Sequence, residues 1–118
     1  MGNYFQKEIE CASADQIRAW QNERLVKQVK NIYDNVPYYR TRMQNKGLEP
    51  GDIKSIDDLH KLPFITKDDL RDAYPYGLLA RPLKDCVRMQ STSGTTGRRV
   101  VAFYTPVSYT HLTLPTIL

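Results

Sequence analysis

The chain has 118 residues, 41% hydrophobic and 25% charged, with a formal net charge of +4. That length supports one ordinary domain burying roughly 65% of its unfolded surface, and it excludes a two-domain enzyme. No apolar run approaches the roughly 20 residues that cross a bilayer. The start, MGNYFQKEIE, lacks the apolar core of a secretion signal, so a cytoplasmic protein without a membrane partner is expected. The basic residues run from Lys7 to Arg99 interleaved with acids, which argues against the clustered stripe of a nucleic-acid binder. Cys11 and Cys86 are far apart, and His60 and His111 have no ligand-like neighbours, so neither a metal centre nor a disulfide framework is expected.

In chain order, Ser13 with Gln16 three residues on is a capping-box signature and predicts a helix start. Ile17, Trp20, Leu25, Val29, Ile32 and Val36 follow a repeat near 3.6, with charged residues on the other faces. Pro37 ends that helix and suits the first position of a second one, capped by Asn35 and terminated at Gly47. Tyr38 and Tyr39 read as packing residues with solvated hydroxyls. Ser55 with Asp58, and Thr66 with Asp69, announce two short helices. Pro75, Gly77 and Pro82 break the helical pattern.

Beyond Asp85 the period becomes extended. Cys86 to Gln90 and Val100 to Tyr104 predict two strands, separated by about nine residues from Ser91 to Arg99. Hairpin loops usually hold two to five residues, so this one needs a reason. Its sequence is STSGTTGRR. Gly94 and Gly97 permit positive φ, which lets successive N–H groups converge on an anion. Ser91, Thr92, Ser93, Thr95 and Thr96 add hydroxyls, and Arg98 and Arg99 add forked cations that match phosphate oxygens. The Walker A spacing is absent. On composition alone, a phosphate cradle and a plain flexible loop stand level.

The segment Ser93-Gly94-Thr95-Thr96-Gly97-Arg98 resembles the [ST]-S-G-T-T-G-[KR] signature of the adenylate-forming superfamily, which includes acyl-CoA synthetases, luciferases and adenylation domains. The blocks NIYDNVPYYRTRM, DIKSIDDLHKLPFITKDDLRDAYPYGLLA and VRMQSTSGTTG resemble, in order and spacing, the N-terminal part of phenylacetate-CoA ligases, covering roughly residues 15 to 105. The resemblance implies an α/β fold: a helical N-terminal segment followed by a β-hairpin that carries the phosphate loop of the large domain. It implies ATP, Mg²⁺ and coenzyme A as co-substrates, an aryl carboxylic acid such as phenylacetate as the acid, and a homodimer for the full-length enzyme. Ser91, Thr92, Ser93, Gly94, Thr95, Thr96, Gly97 and Arg98 would then bind ATP phosphates. Arg98 stands where lysine is common and Arg99 where proline is usual.

The resemblance stops near Thr105. No Asp, Glu, Lys or Arg follows Arg99. Residues 1–106 are therefore expected to be the N-terminal part of the synthetase large domain, and 107–118 a non-native tail resembling cloning read-through, with a native apolar tail as the alternative. By the same resemblance, the acyl pocket, the adenine contacts, the acidic Mg²⁺ ligand and the catalytic lysine of the family fall outside this chain. No catalytic residue is identifiable in it, and the chain alone is expected to be inactive. A stand-alone helical interaction or anion-binding module is the competing reading.

Overall fold

The computed structural model describes residues 2–94, 97 and 99–109. A short helix, α1 (Lys7–Glu10), precedes a long one, α2 (Ala14–Asn35), and a third, α3 (Pro37–Asn45). Two 3-10 segments, Pro50–Asp52 and Ile56–Lys61, lead to α4 (Lys67–Asp72). A further 3-10 turn at Leu83–Asp85 opens onto a two-stranded antiparallel sheet, β1 (Arg88–Ser91) and β2 (Val101–Tyr104). One helical turn follows at 106–109.

The caps explain most of these boundaries. Ser13 Oγ accepts the Gln16 N–H at 3.2 Å and starts α2. No return bond from the Gln16 side chain forms among the described residues, so the box is realised on one side. Ser55 with Asp58 and Thr66 with Asp69 form complete reciprocal boxes. Glu49 with Asp52 does the same ahead of the first 3-10 segment. The short helix that the Ser55 cap announces is a 3-10 segment. Six residues that soon meet the Leu62-Pro63 link leave little room for i→i−4 bonds to propagate.

The junction of α2 and α3 corrects a second expectation. The N-cap of α3 is Val36, without a side-chain cap, while the Asn35 amide donates back to the Asn31 carbonyl at 2.8 Å. Arg40 completes the junction. Its Nε donates to the Tyr33 carbonyl and its Nη2 to the Asp34 carbonyl, both at 2.6 Å, and its guanidinium lies 5.6 Å from the Tyr33 ring centre. A residue of α3 thus satisfies carbonyls that α2 leaves open at its end. Gly47 ends α3 as expected: at φ +67° it allows the Leu48 N–H to reach the Met43 carbonyl at 2.9 Å, a Schellman closure.

The core sits where α2, α3 and the first 3-10 segment converge. Val29, Met43 and Ile53 are fully enclosed, with Leu25, Tyr33, Tyr39, Leu48 and Leu62 packed round them. Only the C-terminal part of the predicted α2 stripe is covered, since Val29 and Val36 are buried while Ile17 is exposed. The N-terminal end of α2 is tied instead by polar contacts: Arg18 pairs with Asp57, and the Ile56 N–H donates to Asn22 Oδ1 at 2.8 Å.

A second, polar tie joins α3 to α4. Asp69 is 6% exposed and lies within reach of Arg42, which forms an ion pair with it. Tyr38 Oη donates to the same carboxylate at 2.9 Å, and the Thr66 N–H and hydroxyl donate to its other oxygen at 2.7 and 2.8 Å. The Thr66 bonds hold the Asp69 carboxyl below the usual carboxylate range, and the bond to Asp69 raises the Tyr38 phenol. Tyr39 Oη donates to the Pro63 carbonyl at 2.8 Å. Neither tyrosine hydroxyl is merely solvated, contrary to the sequence reading. Both lock the helical base.

The hairpin contrasts with that base. β1 and β2 pair with Arg88 opposite Tyr104 and Ser91 opposite Val101. Every residue of β1 is exposed, and Val87 and Met89 are 58% and 63% accessible. A two-stranded hairpin is marginal by itself. Here Phe103 leans on Tyr76, with ring centres 5.6 Å apart. The radius of gyration, 17.1 Å, exceeds the roughly 13–14 Å of a closed globule of this length.

Candidate functional site

The connection between β1 and β2 presents the phosphate-cradle candidate. At its base the Thr92 N–H donates to the Val100 carbonyl at 3.0 Å, extending the ladder by one step. The Val100 N–H returns to Thr92 Oγ1 at 3.1 Å. The Thr92 hydroxyl therefore already closes the loop through its lone pair, and its proton remains to be donated. Higher up, the Gly97 N–H donates to the Gly94 carbonyl at 3.1 Å.

Both glycines adopt the conformation that the sequence suggested. Gly94 has φ +71° and Gly97 has φ +116°. They differ in surroundings. A Cβ at Gly94 would stand 2.8 Å from Arg99 Cγ and 3.1 Å from the Gly97 carbonyl oxygen, whereas a Cβ at Gly97 would meet nothing within 4 Å. Gly94 is thus required twice, by dihedral and by close approach, and Gly97 by dihedral alone. Ser91, Thr92 and Ser93 are exposed beside them. Thr95, Thr96 and Arg98 lie outside the described residues.

What the loop offers chemically is a curved backbone with hydroxyls and a neighbouring cation. It offers no carboxylate. Among the described residues no three of His, Cys, Asp and Glu come together to hold a metal ion. Cys11 and Cys86 are both free thiols. A separate cleft of about 570 Å³ lies between the helical base and the hairpin, lined among others by Gln28, Asn31, Ala73, Arg81 and Phe103. None of the described residues between Ser91 and Val100 lines it. No helix of the described residues is long and apolar enough to cross a membrane.

Comparison with known proteins gives this geometry its context. Models of protein families match the chain nowhere. Individual proteins do match it. Over 97 residues, 82% of this chain, it is 50% identical to the phenylacetate-coenzyme A ligase of Aromatoleum evansii and 44% identical to that of Escherichia coli. Over 101 residues it is 41% identical to the phenylacetate-coenzyme A ligase of Thermus thermophilus. Over most of its length the chain is similar to phenylacetate-coenzyme A ligases. It spans about 22% of the length of the relatives it matches.

Solved structures agree on the fold. A 2-hydroxyisobutyryl-CoA ligase in complex with 2-HIB-AMP and CoA superposes with a TM-score of 0.74 at 25% identity, over 82% of this chain and 22% of that one. The same enzyme in the postadenylation state, with R3-HIB-AMP, gives 0.79 over 90% of this chain at 20% identity. The helical segment followed by an antiparallel hairpin is therefore the arrangement of an adenylate-forming CoA ligase.

The sequence located the loop but not all its actors. Missed was the crossing of Arg99 over Gly94, because the contact depends on the hairpin register and not on spacing in the chain. Its one trace in the sequence is the second arginine of the RR pair.

Proposed function

We propose that this chain is the N-terminal portion of an ATP-dependent aryl-acid CoA ligase acting on phenylacetate or a related acid. The observation that carries the reading is the 41–50% identity to four phenylacetate-coenzyme A ligases across most of the chain. In the reaction, the substrate carboxylate attacks the α-phosphorus of ATP, releasing pyrophosphate and leaving an acyl-adenylate. The CoA thiol then displaces AMP, losing its proton, to give the thioester.

The residues of this chain would act in the first step by holding the β- and γ-phosphates. The Ser91–Arg98 loop supplies N–H groups, the hydroxyls of Ser91, Thr92, Ser93, Thr95 and Thr96, and the Arg98 guanidinium. Gly94 and Gly97 shape it. Such a loop orients the triphosphate and does not itself react. Mg²⁺ would accompany the nucleotide. The described residues bring no set of ligands for it, and no step is assigned to it. Residues 1–106 are read as part of the large synthetase domain and 107–118 as lying outside it, a reading supported by the absence of charge after Arg99. The enzyme is read as a cytoplasmic homodimer with small-molecule substrates and without nucleic-acid or membrane partners.

Replacement tests this directly. The matching segment of the Escherichia coli ligase is exchanged for residues 1–106, and phenylacetyl-CoA formation is followed. Retained ligase activity supports the reading, provided the 118-residue chain alone forms none. A folded chimera without activity, or thioester formation by the isolated chain, overturns it.

A further inference from the structure

We propose that Arg99 is an additional polyphosphate-binding residue of the loop, its side chain laid across Gly94 to put a second guanidinium at the anion site. The inference rests on the phosphate-loop reading above and extends it to a position that the signature does not include.

Three observations carry it. First, the Arg99 stem packs directly on the Gly94 backbone. The place a Cβ would take there lies 2.8 Å from Arg99 Cγ and 3.5 Å from its Nε, so the guanidinium begins at the loop's own surface. That placement needs the absent side chain at Gly94.

Second, the cation is uncommitted. Among the described residues Arg99 has no ion pair or side-chain hydrogen bond, and its residue is exposed. Arg88, on the neighbouring strand, differs. Its Nη1 donates to Tyr109 Oη at 2.5 Å and its guanidinium lies 5.1 Å from that ring's centre.

Third, nothing nearby in the sequence offsets the charge. From Cys86 to Leu118 there are Arg88, Arg98 and Arg99 and no Asp or Glu. A short hairpin carrying three cations and no anion projects a positive potential, and a guanidinium fork is the group that pairs geometrically with phosphate oxygens. The ligand class is therefore a polyphosphate ester or inorganic polyphosphate.

The 118-residue chain is titrated with sodium tripolyphosphate by calorimetry, in parallel with R99A, R99K and R88Q. The expected result is binding by the parent, about tenfold weaker for R99A, intermediate for R99K, and within about twofold of the parent for R88Q. R88Q removes the same net charge from a side chain already engaged with Tyr109. Helical circular dichroism shows whether each variant keeps the base. Binding by the parent with R99A unchanged, or with R99A and R88Q equally weakened, overturns the role of Arg99 and leaves the loop reading standing. Absence of binding by the parent overturns both.

Discussion

The helical base and the hairpin are held by different means. The base closes on itself: Val29, Met43 and Ile53 are enclosed, helix ends are capped, and Asp69 is satisfied from two elements. The hairpin has a paired ladder but no covered face on β1. Burial thus stabilises one region, and local hydrogen bonds with glycine dihedrals shape the other. The candidate site lies on the less buried region, so damage to the base should reach it only indirectly.

The largest expected effect breaks the base. Met43→Ala removes a fully enclosed side chain and should cost about 2–5 kcal/mol. Chemical denaturation followed at 222 nm reads it, and a change below about 1 kcal/mol would show that the core is not the organising contact. Next, Asp69→Ala leaves Arg42 with the Phe64 carbonyl but no carboxylate, and removes acceptors for Tyr38 and Thr66. The melting temperature should fall on the order of 10 °C, and an unchanged temperature would make the cluster decorative.

Acid sharpens the comparison. The bond from the Lys61 ammonium, with the Lys54 N–H, lowers the Asp58 carboxyl from 3.8 to about 2, and the Thr66 bonds lower Asp69. In both cases the unfolded chain takes up protons first. Their contribution is complete above about pH 4 and is lost as pH falls through the folded values. Melting temperature should therefore drop between pH 4 and 2, and Asp58→Asn should flatten that drop while costing a few degrees at neutral pH. A profile identical to the parent's would contradict the assignment. The smallest effect belongs to the hairpin: Thr92→Val loses the bond from the Val100 N–H, worth about 1 kcal/mol. Faster hydrogen exchange at Val100, with the helical amides unaltered, is the expected signature.

Much of the base was legible because caps and stops are local chemistry. Ser55, Thr66, Pro37 and Gly47 each do what their types and spacing indicate, and Ser13 caps α2 without the return bond from Gln16. The positive φ of Gly94 and Gly97 was legible for the same reason. What was not legible depends on contacts between elements. Val36 serves as the cap of α3 because Arg40 closes α2 behind it. The tyrosine hydroxyls find Asp69 and Pro63 from 31 and 24 residues away. Helix α1 has no side-chain cap at Gln6 and is held by Glu10, whose carboxylate accepts the Phe5 and Gln6 N–H groups at 3.0 and 2.8 Å. That return bond leaves little mark in the sequence.

The most direct test of the phosphate cradle is phenylacetate-dependent ATP–pyrophosphate exchange by the chimeric ligase, with and without Gly94→Ala. A Cβ there meets Arg99 and the Gly97 carbonyl at positive φ, so the account predicts exchange reduced at least about tenfold with the fold intact. Exchange equal to that of the unsubstituted chimera would contradict it.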